Sequence, residues 1–157
     1  LDNNIEFRLS TADDTEVLTN FRLLLLREVR GKEDDEATEV LRKNIAEYMP
    51  VAVNSGTYIG WMAIVNEVVA GVGGMAIRQQ PPGYKYPNGK LGYIMNMYTL
   101  PQYRGRGICT MLMEKIMQSA REQGICKVEL HATNEGEPIY RKFGFAEPKS
   151  LVLEWNG

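Results

Sequence analysis

Pro101-Gln102-Tyr103-Arg104-Gly105-Arg106-Gly107-Ile108-Cys109-Thr110 is the stretch on which the reading of this chain turns. Upstream, Leu91 to Leu100 is an apolar, strand-like run. Downstream, Gly107 to Gln123 carries Met111, Leu112, Lys115, Ile116 and Ala120 at helical spacing, with Gly124 as the stop. The stretch therefore lies between a strand and the first turn of a long helix. Glycines at such a junction admit positive φ and turn successive N–H groups toward one point, and the helix N-terminus adds the positive end of its dipole. An anion suits that corner. Arg104 and Arg106 add charge and Thr110 a hydroxyl, so a pyrophosphate is a natural occupant. The Lys-Ser/Thr of a Walker A loop is absent, and Gly-x-Gly-x-x-Gly is not matched. Taken alone, the segment reads equally well as a glycine turn leading into a helix.

Outward from this centre, Ile5 to Ser10 alternates apolar and charged residues as a half-buried strand does. Val17, Leu18, Phe21, Leu24, Leu25 and Val29 predict a helix over 14–30 ended by Gly31. Ala37, Val40, Leu41, Ile45 and Tyr48 predict a second over 34–48, stopping before Pro50. Thr57 to Val65 and Val68 to Ile77 form a hairpin around Asn66-Glu67, with Gly71, Gly73 and Gly74 marking a bulge or the close approach of another group. Val128 to Thr133 is a further strand, Pro138 to Phe143 a short helix, and Phe145 to Trp155 a final strand or two. No linker divides the chain, so residues 1–157 read as one domain. The fold class is α+β with a mixed sheet, and strand 91–100, helix 107–123 and strand 128–133 make a right-handed parallel crossover.

Composition narrows the function. With 18 Lys+Arg against 20 Asp+Glu the net charge is −2, and the basic residues are scattered, which argues against a nucleic-acid partner. The longest apolar runs, Leu23 to Leu26 and Val68 to Val72, are far too short to span a membrane. Two cysteines and one histidine, Cys109, Cys126 and His131, leave no metal site of the Cys/His type. The opening Leu1-Asp2-Asn3-Asn4 has neither a basic start nor an apolar core, so a cytoplasmic setting is expected. The acidic cluster Glu33 to Glu36 reads as a solvated helix start or as a contact for a cationic substrate.

Arg104-Gly105-Arg106-Gly107-Ile108-Cys109, preceded by Met97-Tyr98-Thr99-Leu100 and followed by Pro138-Ile139-Tyr140-Arg141-Lys142-Phe143-Gly144-Phe145, resembles the GNAT superfamily of acetyl-CoA-dependent N-acetyltransferases. The resemblance extends over nearly the whole chain. It implies a GNAT-like fold, with a central, mostly antiparallel sheet carrying one parallel strand pair and flanked by about four helices. It also implies acetyl-CoA as co-substrate. Met97, Tyr98 and Thr99 would pair their main chain with the pantetheine arm, and a backbone N–H near Met97 would polarise the thioester carbonyl. Arg104, Gly105, Arg106, Gly107, Ile108, Cys109 and Thr110 would hold the pyrophosphate. Tyr140 would bind near the sulfur and protonate the departing thiolate as general acid. Cys109 stands where the family usually has Gly or Ala. Thr133 and Asn134 share the place of the family's cofactor-binding Asn, and Asn134 is the expected contact.

The resemblance implies a primary amine of a small molecule or peptide as acceptor, attacked directly in a ternary complex. A non-catalytic CoA-binding sensor or interaction module is the alternative. Alternation on strand 91–100 puts Tyr93, Met95 and Met97 on one face and Ile94, Asn96 and Tyr98 on the other, with no carboxylate or imidazole among them. His131 and, more weakly, Glu129 and Glu28 are the candidates for proton removal, with a water chain as the other route; an acyl-Cys109 route competes with direct attack. By the family arrangement, helices 14–30 and 34–48 and loop 79–90 line the acceptor pocket, with Tyr84, Tyr86 and Tyr93 boxing a group there. Met62, Met75, Met95 and Met97 either soften its wall or fill the core. Partners reduce to that amine and, at most, a homodimer.

Overall fold

The computed structural model describes residues 4–31 and 35–157. Its elements are β1 (Ile5–Leu9), α1 (Thr15–Arg30), α2 (Glu36–Ser55), β2 (Tyr58–Val65), β3 (Val68–Gln79), β4 (Lys90–Thr99), α3 (Ile108–Glu122), β5 (Lys127–Leu130) and α4 (Glu137–Lys142). The sheet has strand order β1-β2-β3-β4-β5, antiparallel throughout except for the parallel β4–β5 pair. α1 and α2 pack on one face, where Leu18, Phe21, Ile45 and Met49 meet Tyr58, Met62 and Tyr98. On the other, Met113, Ile116 and Ala120 of α3 meet Met75 and Ile94. Met62 and Met75 are fully buried and serve as core filler. No helix among the described residues is long and apolar enough to cross a membrane.

The hairpin turn falls at Asn66-Glu67, both at positive φ, as a two-residue turn between twisted strands requires. The glycine run in β3 exists because side chains from both layers lie against it. A Cβ on Gly73 would meet Met97 and Ile116, and one on Gly74 would meet the Tyr58 ring.

Four expectations need correction. α2 does not stop before Pro50 but runs on to Ser55, because Met49 and Ala52 are buried and the stabilisation from that packing exceeds the cost of one missing N–H donor. Asp35 caps it, accepting from Thr38 N at 2.8 Å; Glu33 and Asp34 of the acidic cluster lie outside the described residues. β5 ends at Leu130, so His131 to Thr133 are loop. From Phe145 to Trp155 there is no strand, and Leu151, Val152, Leu153 and Trp155 are exposed, since no strand among the described residues pairs with them.

The fourth correction concerns β4. Gly74 pairs with Met95 and Val72 with Tyr98, so two β4 residues oppose Gly73 alone. Asn96 occupies this bulge at φ 61. The extra residue breaks strict alternation. Asn96 and Tyr98 join Met95 on the α1 face, and Met97 turns with Ile94 toward α3.

Candidate active site

β4 and β5 run side by side only from Leu91↔Lys127 to Ile94↔Leu130. Beyond that pair β5 leaves the sheet, and Met95–Thr99 has no strand beside it on that side among the described residues. A cleft of about 1030 Å³ opens there, lined by α1, the outer half of β4, the 103–110 turn, the 130–136 loop and Tyr140.

The floor of one end is backbone. Gly105 and Gly107 have φ 77 and 78, and a Cβ built on either meets nothing within 4 Å. Gly107 caps α3 without a side-chain hydrogen bond, so the first N–H groups of that helix are not covered by a capping side chain. A corner with glycine backbone, open space and a helix N-terminus fits a diphosphate. The arginines contribute unequally. Arg104 Nε donates to Thr99 O at 2.9 Å, its Nη2 pairs with Glu28 at 2.9 Å, and its guanidinium sits 5.3 Å from the Tyr98 ring centroid. Arg106 does not line the cleft; its guanidinium stacks over Tyr103 at 5.3 Å. The remaining sequence candidates, Met97, Tyr98, Thr99, Arg104, Gly105, Gly107, Ile108, Cys109, Thr110, Asn134 and Tyr140, are brought together along its walls.

Tyr140 projects from α4, which starts with Pro138 in its first turn and closes at Gly144. Its ring is buried edge-on against Phe145, at 6.4 Å between centroids. Burial, with the neighbouring Cys109 adding to it, pushes the phenol up to about 12. Burial also raises the Cys109 thiol. That keeps Cys109 protonated at neutral pH and works against a covalent acyl-cysteine route. Thr133 and Asn134 both face the cleft, and Thr133 Oγ1 accepts from Gly136 N at 3.2 Å.

The acceptor end differs from expectation. Only α1 of the first two helices reaches the cleft, and loop 80–89 does not. Asn88 Nδ2 ties that loop to Gly124 O at 3.0 Å, Tyr84 is fully exposed, and Tyr86 lies under Lys127. Of the three tyrosines only Tyr93 lines the cleft, its hydroxyl 2.8 Å from His131 Nδ1. Glu28 is at the wall but engaged: the Arg104 guanidinium and the Tyr98 hydroxyl hold its carboxyl below the usual range, which weakens it as a base. Glu129 pairs with Lys127 at 3.2 Å.

Sequence reasoning missed Arg22 and Asn96. Arg22 Nη1 donates to Asn96 Oδ1 at 2.9 Å, and Asn96 Nδ2 donates to the buried Tyr58 hydroxyl at 3.0 Å. An arginine set between Phe21 and the leucine run 23–26 was the one available signal.

The model of the Acetyltransferase (GNAT) family matches residues 19–145. Among curated proteins, the mouse (Mus musculus) "Probable N-acetyltransferase family 8 member 5" is 29% identical over 131 residues, 80% of this chain and 55% of that protein, so the chain spans little more than half of that relative. Among solved structures, a predicted acetyltransferase with acetyl-CoA from Clostridium acetobutylicum is 30% identical with a TM-score of 0.87, over 97% of this chain and 96% of that one. A GCN5-related N-acetyltransferase from Ralstonia eutropha is 27% identical with a TM-score of 0.84, over 98% and 100%. Sequence, topology and the glycine corner agree: the chain belongs to the GNAT acetyltransferase family.

Proposed function

We propose that the chain transfers the acetyl group of acetyl-CoA to a primary amine of a small molecule or peptide by direct attack in a ternary complex. The observation that carries this is the meeting in one cleft of the 105–107 glycine corner, the outer half of β4 that β5 leaves uncovered and the Tyr140 hydroxyl. Acetyl-CoA supplies a thioester whose carbonyl carbon accepts an amine. Backbone amides of the 104–110 turn and α3, with Thr110, hold the diphosphate, and main-chain groups of Met97–Thr99 take the pantetheine arm as an added strand. The amine nitrogen bonds to the carbonyl carbon as the C–S bond breaks, and Tyr140 gives its proton to the sulfur. With its pKa at about 12 the phenol is fully protonated at neutral pH, and a thiolate is a good enough leaving group not to need a stronger acid. The proton lost by the amine passes to solvent water or to His131, which Tyr93 orients at the cleft wall.

The engagement of Glu28 and Glu129 in ion pairs favours a second reading, a CoA-binding module without turnover. One experiment separates the two. The full chain is incubated with acetyl-CoA, a panel of amines and a thiol reagent. Amine-dependent release of free CoA is the expected result; acetyl-CoA binding without release would establish the module. The same reading includes a cytoplasmic setting, in keeping with two free cysteines, and a homodimer. The exposed apolar side chains of 151–155 and the open outer edge of β5 support the homodimer.

A further inference from the structure

Arg22 is half-buried on the cleft wall beside Leu25, Leu26 and Met95. Among the described residues its one hydrogen-bond partner is the neutral amide oxygen of Asn96, and no carboxylate lies within ion-pair distance of it. A guanidinium has five donors in a planar fork, so most of this one's capacity is unused. Holding Asn96 needs a donor but not a charge; a glutamine amide would do. A partly desolvated cation with no counter-ion is costly, and burial lowers the Arg22 pKa accordingly, with Tyr58 and Tyr93 offsetting part of the shift and Arg30 adding to it. The acidic group nearest in role, Glu28, is taken by Arg104. Glu135, the other carboxylate lining the cleft, acts on Arg104 and makes no ion pair with Arg22, so among the described residues the Arg22 charge at the acceptor end has no ion-pair partner.

We infer that the acceptor carries a carboxylate as well as its amine, and that Arg22 binds that carboxylate and so selects amino acids or chain-terminal peptides over neutral amines. This rests on the acetyltransferase reading above. A monoanion is favoured over a phosphate because Arg22 is alone: Arg104 is committed to Glu28 and Thr99, and Arg106 to Tyr103. The apolar neighbours Leu25, Leu26 and Met95 suit an apolar side chain on the same acceptor.

The test compares α-, β- and γ-amino acids bearing apolar side chains with their carboxamides. The amides have the more acidic ammonium groups and are the better nucleophiles at neutral pH, so a site indifferent to charge would prefer them. The expected result is a preference of roughly 10- to 100-fold in kcat/KM for the acids. In Arg22→Gln the acceptor KM should rise by that factor for acids and hardly change for amides, with the acetyl-CoA KM unaltered. Arg22→Lys should retain part of the preference. Amides at parity with acids in the native chain, or an Arg22→Gln loss equal for both, would overturn the inference, since a residue that merely supports Asn96 slows both alike. A second readout does not need turnover: thermal stabilisation by N-acetylated amino acids against their amides, with CoA present. Carboxylate-selective stabilisation lost in Arg22→Gln upholds the inference even if no amine releases CoA, in which case only the enzymatic reading fails. No selective stabilisation sinks it.

Discussion

At the 104–110 corner the cleft is made of main chain, two glycines at positive φ and the opening of α3, while at the α1 end it is made of side chains, Arg22, Asn96, Tyr93 and His131, drawn from three elements far apart in sequence. A main-chain site has to be written locally, because only particular residues adopt its dihedrals, and it recognises what every acyl-CoA shares. A side-chain site is assembled by the topology and can be rewritten one residue at a time. On this ground the first end is the one a sequence motif can carry, and the second is the one in which a single substitution can change what is recognised.

The comparison can be broken first at the main-chain end. Gly107→Asn adds a side chain that the protein itself has room for, and asparagine tolerates left-handed backbone, so the fold should survive with a small fall in Tm. Acetyl-CoA affinity should drop by roughly 100-fold or more by calorimetry, because the new side chain fills the anion corner. Unchanged affinity would mean that the diphosphate binds elsewhere. Between the two ends, Tyr140→Phe should lower kcat by roughly 10- to 100-fold with the acetyl-CoA KM nearly constant. In the native enzyme the pH profile should show no alkaline limb from this phenol until close to pH 12; a phenol acid is lost as pH rises through its pKa, so a fall near pH 9 belongs to another group. At the side-chain end, Asn96→Ala should cost about 1–3 kcal/mol in chemical denaturation, from alanine at φ 61 and from hydrogen bonds lost to Arg22 and Tyr58. A neutral effect there would show that the bulge does not depend on its asparagine.

The same distinction governs what could be read before the fold was known. The turn at 104–110 and the Asn66-Glu67 hairpin are local, and each is where the sequence puts it. Pro50 misled because its helix is held by burial at Met49 and Ala52, a tertiary effect that overrides a local breaker. The faces of β4 misled because a bulge is set by its partner strand as much as by its own residues. The tyrosine box failed for a third reason: loop 80–89 has turn formers and aromatics, but Asn88 anchors it beside Gly124, away from the cleft. The 151–155 tail has a strand's apolar residues and no strand to join among the described residues. Arg22 had no motif at all, since its meaning lies in what it fails to touch.

The inserted residue in β4 has a practical consequence for engineering. Deleting it would set Met97 alone opposite Gly73 and leave Met97 and Tyr98 on the faces they already hold, because the bulge is where β4 carries one residue more than its partner strand matches. What the deletion would remove is the side chain that fastens Arg22 of α1 to the buried Tyr58 hydroxyl, so the strand would keep its phase while the cleft wall lost its anchor.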